Sequence, residues 1–152
     1  MKLPLTRNGN DKLNYEDAFS KTSSPKYAHL AEIVHNGLDR MVMQSDLRDV
    51  YHGVHVIGFS NLSSPLRSEL MSAAEHKEHD AAAHGIVSEF YLQLSDNNDE
   101  KRLVDVFKKY FRSKNYSLGG TDLFTSGALV DQMDAFGKYT HIHIYSPVNL
   151  DI

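Results

Sequence analysis

The residues able to do chemistry in this chain are mainly its histidines. Nine His and no Cys occur among 152 residues. A soft-metal site would therefore have to use imidazole and carboxylate, and disulfides, thiolate zinc sites, iron–sulfur clusters and a Cys nucleophile are excluded. His141 and His143 lie in the run Tyr139 to Tyr145, whose alternation predicts a strand. Tyr139, His141, His143 and Tyr145 would share one face, with Ile142 and Ile144 on the other. Two His at i and i+2 sit roughly 6.6 Å apart along a strand, near enough to lean toward one ion. His76, His79 and His84 form a second group, with Glu75, Glu78 and Asp80. On a helix His76 and His79 are neighbours, although a solvated helix end of mixed charge, where His suits the helix dipole, is the more common source of such a run. His52 and His55 flank Gly53 and would point to opposite faces of an extended segment. His29 and His35 are separated on a helix. These four are given no role.

Glu89 could complete a site. It shares side-chain parity with Val87 and Tyr91, opposite Phe90 and Leu92. His79, His84, Glu89, His141 and His143 are thus the candidate metal ligands, from which a two-His–one-carboxylate set could be drawn. That is the open ligand set of catalytic zinc hydrolases, and zinc is the ion expected. His143 or Asp134 is the candidate to assist water or the transition state if the site were catalytic.

The elements that must position these residues are legible in outline. Residues 1–23 read as a polar N-terminal arm with one short helical turn near Tyr15 to Phe19. Ser24-Pro25 supplies an N-cap and a first-turn proline. Tyr27, Leu30, Val34, Leu38 and Met41 then recur at helical spacing. Residues 44–52 are a polar connection, and Gly53 to Phe59 is a strand. Ser64-Pro65 starts a second helix that ends at Gly85. Ile86 to Leu94 is a strand, and Asp96 to Asp99 offer caps for a third helix with Leu103, Val104, Phe107, Tyr110 and Phe111 on its apolar side. Lys101, Arg102, Lys108, Lys109, Arg112 and Lys114 decorate that helix as an anion-binding or simply solvated face. Residues 121–138 read as a loop or irregular hairpin before the last strand. The expectation is one α+β domain over residues 24–152, with a small, mostly antiparallel sheet packed against about three helices.

The segment from Val56 to Ile144 resembles the zinc peptidases that cleave D-alanyl-D-alanine or L-alanyl-D-glutamate bonds in peptidoglycan, a family that includes many phage endolysins. Ile57-Gly58-Phe59-Ser60 is similar to that family's Gly-aromatic-Arg-Ser element. Gly85-Ile86-Val87-Ser88-Glu89-Phe90 is similar to its Gly-x-Ala-x-Asp-Phe, and His141 falls where a late Glu-x-x-His would end. The family's first ligand His aligns with Ala82, its ligand Asp with Glu89, its Arg with Ser60, and its catalytic carboxylate with Lys138. A cation in place of the carboxylate that activates metal-bound water removes that role. The resemblance therefore implies an inactive relative kept for its shape.

Charge narrows the function classes. The formal charge is −4, from 16 basic and 20 acidic residues, which argues against a general nucleic-acid binder. No window approaches the roughly 18 apolar residues of a membrane span. No signal peptide is read at the start, so cytoplasmic synthesis is expected. The leading expectation is a non-catalytic structural or interaction subunit, with other protein subunits as partners in an oligomer or large assembly such as a virion. The alternatives are a His/carboxylate metal-dependent hydrolase of the peptidoglycan type and a pH-responsive binding module.

Overall fold

Helix α1, Pro25–Met43, begins where the sequence marks it: Ser24 is the N-cap, its Oγ accepts from the Tyr27 N–H, and Pro25 occupies the first turn. The computed structural model describes residues 1–62, 85–95 and 100–131. Among these, α1 buries Leu30, Val34, Leu38, Met41 and Val42 along one stripe. Each such side chain is worth about 1.5–3 kcal/mol when fully buried. The chain then passes through Leu47, fully buried in a stretch expected to be polar, and a short 3-10 turn at Arg48–Val50.

The main sheet has the order β1-β5-β4, all antiparallel. Its strands are β1, Lys2–Leu5; β4, Tyr51–Asn61; and β5, Ile86–Leu94, which lies at the centre. Phe90, Leu92 and Leu94 on one face of β5 are buried, and Glu89, Tyr91 and Gln93 on the other are half-exposed. A second small sheet joins β2, Arg7–Asn8, β3, Asp11–Lys12, and β6, Leu123–Phe124. Arg7 lies over the Phe124 ring at 4.4 Å.

Helix α2, Glu100–Ser113, covers the same face of the sheet as α1. Leu103, Val104, Phe107, Tyr110 and Phe111 are buried, and Phe107 meets Phe90 with ring centroids 6.0 Å apart. A short α3, Gly127–Asp131, adds Leu129 and Val130 to the core. The described residues thus form one α+β domain with antiparallel sheets and three helices.

The N-terminal arm carries more structure than its polar composition implies. Leu3 and Leu5 are fully buried, β1 pairs with β5, and the Met1 amino group donates to the Phe90 carbonyl. Proline at position 4 is tolerated because β1 is an edge strand among the described residues. The expected turn near Tyr15 to Phe19 appears as a 3-10 turn at Asp17–Ser20. The helix expected after Ser64-Pro65 and the strand expected at 139–145 lie outside the described residues.

Helix α1 meets the turn that follows α2 at Gly37 and Gly119, with no side chain between them. A Cβ on Gly119 would stand 2.0 Å from the Gly37 carbonyl oxygen, and Gly119 has φ +56. Only glycine serves both demands at once. The Arg40 guanidinium donates to the Gly119 carbonyl at 2.9 Å, closing the same junction.

Candidate functional site

Strand β4 is an edge of the main sheet among the described residues, and it contains no Asp, Glu, Lys or Arg along its eleven residues. Two irregularities shape it. The register with β5 shifts between Tyr51 and Gly53 and again between Val56 and Gly58. His52 and Ile57 are the extra residues, and such bulges re-aim side chains at sheet edges. Ile57 is 50% exposed, high for a large aliphatic residue. Its carbonyl accepts from the Tyr27 hydroxyl at 3.3 Å, so a side chain of α1 takes up part of the outer edge.

The inner half of β4 is anchored by aromatic rings. Phe59 is buried against Tyr27, with centroids 5.3 Å apart, and against Phe19 at 6.4 Å. Tyr15 extends the chain of rings to Phe19 at 6.2 Å. At the other end of β4 the Tyr51 hydroxyl donates to Asp39 Oδ1 at 2.7 Å. Burial first, and then the neighbouring carboxylate, push the Tyr51 phenol well above its ordinary range.

The face of the sheet away from the helices carries a small platform. His55 pairs with Tyr91 across the strands, and their rings stack at 4.8 Å with a 21° tilt. Gly53 opposite Gln93 and Gly58 opposite Glu89 flank that stack. A Cβ on Gly58 would meet nothing within 4 Å, so this part of the platform is low and open. Lys2 pairs with Glu89 from β1. The arrangement offers a flat ring pair, a carboxylate and an amide. It suits recognition by stacking and hydrogen bonding more than bond cleavage, and charged His55 would add a cation–π attraction to the stack.

Of the five candidate metal ligands, Glu89 lies on this platform. His79, His84, His141 and His143 lie outside the described residues, as do His76 and Asp134. Among the described residues, no group of three or more His, Asp or Glu side chains could hold a metal ion. His55 is hidden in the sequence because strict alternation puts it opposite His52. Two glycines within a β-rich run were the available signal for bulges.

The basic face of α2 is a mixed-charge surface. Lys109 approaches Asp46 at 3.6 Å and Arg112 donates to Asp131 at 2.8 Å. The shallow cleft of about 350 Å³ beside it is lined by Asp46 and Asp105 as well as Lys101, Arg102 and Lys109. That lining gives no single-sign field for an anion. A cleft of about 340 Å³ between the β2–β3 hairpin and α1 has Leu13, Phe19 and Leu30 in its floor and Asp11, Lys12 and Lys26 on its rim.

Against this geometry, a SEA domain family model matches residues 10–72, the stretch containing α1 and β4. No curated protein matches the chain. The SEA match overturns the likeness to zinc peptidoglycan peptidases, and the phage, virion, zinc and hydrolase readings drawn with it are corrected. The residues behind that likeness have other duties. Ile57 to Ser60 is a bulged stretch of β4, with Phe59 in the aromatic core. A Cβ on Gly85 would lie 2.5 Å from Leu62 and 2.9 Å from the Leu5 carbonyl oxygen, and Phe90 packs on Phe107. A glycine–aromatic pattern that looked like part of a ligand frame is a core and strand-entry pattern.

Proposed function

We propose that this chain is a non-catalytic interaction domain that binds a protein partner through the bulged strand β4 and the adjoining open face. The match of residues 10–72 to the SEA domain carries the reading, because SEA domains are often involved in protein–protein interactions. The surface of β4 supports it: an uncharged strand with outward Ile57, beside the His55–Tyr91 stack, is the apolar-and-aromatic chemistry enriched at the centres of interfaces. Among the described residues no helix is long and apolar enough to cross a membrane.

The test compares the 152-residue chain with a double variant, Ile57→Asp and His55→Ala, immobilised at equal density and offered extract from the source tissue or cell. Both changes are exposed, so thermal unfolding is expected to stay within a few degrees of wild type. A protein retained by wild type and weakened at least about tenfold on the variant, equivalent to ~1.4 kcal/mol, supports the proposal. Equal retention by the two folded proteins refutes this surface as the binding site.

A further inference from the structure

The turn after α2 carries the sequence Asn115-Tyr116-Ser117, an Asn-x-Ser acceptor signature. Its backbone closes the helix. Asn115 has φ +53 and Tyr116 φ +63, and the Tyr116 N–H donates to the Phe111 carbonyl at 2.8 Å. This is the six-to-one bond of a Schellman end, with Asn115 in the left-handed position that Asn tolerates better than most residues. That job uses only the backbone. Asn115 is exposed and its side-chain amide has no hydrogen-bond partner among the described residues, whereas Tyr116 turns inward and is half-buried.

We propose that Asn115 is an N-glycosylation acceptor. The donor class is an oligosaccharide carried on a polyprenyl diphosphate in a secretory lumen. Asn115 Nδ2 forms a bond to C1 of the reducing-end sugar and gives up one proton. The C1–O bond to the diphosphate breaks, and the lipid diphosphate leaves with the electron pair. In the folded protein the Ser117 hydroxyl donates to the Thr121 carbonyl at 3.0 Å. An acceptor enzyme reads that hydroxyl, so transfer precedes closure of this turn. Afterwards the glycan projects from the end of the helix layer, while Glu89, Tyr91 and Gln93 occupy the opposite face of the sheet. The modification and the proposed partner surface do not compete for space. The chain's other such signature, Asn61-Leu62-Ser63, begins at a half-buried Asn61 that already has an interaction partner.

The experiment is secretion of the 152-residue chain behind a cleavable leader from a eukaryotic host, followed by intact-mass and peptide mapping. The expected result is a mass above that of the sequence, removed by peptide-N-glycosidase with conversion of Asn115 to Asp. Asn115→Asp, which keeps a residue tolerant of positive φ, abolishes the added mass at this site, as does Ser117→Ala. Ser117→Thr retains it. Near-ultraviolet circular dichroism confirms that each secreted variant is folded. A folded, secreted wild-type protein with bare Asn115 overturns the proposal, including when a glycan is found at Asn61 alone.

Discussion

The junction of Gly37 with Gly119 allows a sharp test, because two adjacent glycines there differ in one respect. Both have positive φ, +56 at Gly119 and +74 at Gly120. A Cβ on Gly119 would lie 2.0 Å from the Gly37 carbonyl oxygen, whereas one on Gly120 meets nothing nearer than an Arg40 guanidinium nitrogen at 3.6 Å. Placing alanine in the left-handed region costs about 1–2 kcal/mol at either position. At Gly119 the turn must also be pushed away from α1, which adds about 1–3 kcal/mol by analogy with overpacked cores. Gly119→Ala should therefore cost about 3.5 kcal/mol and Gly120→Ala about 1.5 kcal/mol. For a chain of this length those losses correspond to falls of roughly 7–14 °C and 3–6 °C in Tm. Urea denaturation with a common m-value gives the free energies directly. The difference between the variants isolates the contact from backbone strain. Equal costs at the two glycines, or a Gly119→Ala protein within about 0.5 kcal/mol of wild type, the usual scatter of surface substitutions, would refute the close-approach argument.

Four further outcomes follow from the same kind of reasoning. Leu3→Ala should cost about 2–5 kcal/mol in urea denaturation, the range for a buried leucine, since Leu3 is fully buried on a strand paired to the centre of the sheet; a loss below about 0.5 kcal/mol would show the arm to be dispensable. Ser88 is fully buried with its hydroxyl unpaired, so Ser88→Ala should be neutral or stabilising by up to about 1 kcal/mol, and a clear fall in Tm would contradict this. Tyr51 and Tyr110 are both held above the ordinary phenol range, chiefly by burial. In the unfolded chain they ionise near pH 10, so the unfolded state binds fewer protons there and stability should fall as pH rises past that value. Tyr51→Phe should flatten that alkaline loss, measured as ΔG against pH, and an unchanged slope would remove Tyr51 from the account.

Much of the framework was legible because it is written in local chemistry. Ser24-Pro25 marks the start of α1 by capping, and the spacing from Leu103 to Phe111 marks α2 by periodicity. The strand at Ile86–Leu94 was legible from its β-rich composition. Strand β1 was hidden because Lys2–Leu5 is only four residues long, and the burial of Leu3 and Leu5 is decided by pairing with residues more than eighty positions away. Leu47 was hidden for a similar reason: one apolar residue in a polar stretch gives no period. The platform at His55 was obscured by the bulges at His52 and Ile57, since each inserted residue reverses the parity on which face assignments depend. The peptidase likeness failed because glycine and aromatic residues at strand ends serve close packing in many folds, as Gly85 and Phe90 do here.

The position of β5 between β1 and β4 has a consequence for assembly in time. Met1 reaches the Phe90 carbonyl across a sequence separation of 89 residues, and no described strand joins β1 to β4 except β5. A chain emerging from a ribosome can form α1 early, but the main sheet has no centre until residue 94 has been made. Until then Leu3, Leu5, Val54 and Phe59 lack the surface that buries them. Contacts of such span are slow to form and leave apolar segments exposed while they wait. The stretch matched to the SEA domain ends at residue 72, before β5. Cut at those bounds, it would retain α1 and the edge strand β4 but lose both strands that complete the sheet, β1 and the central β5.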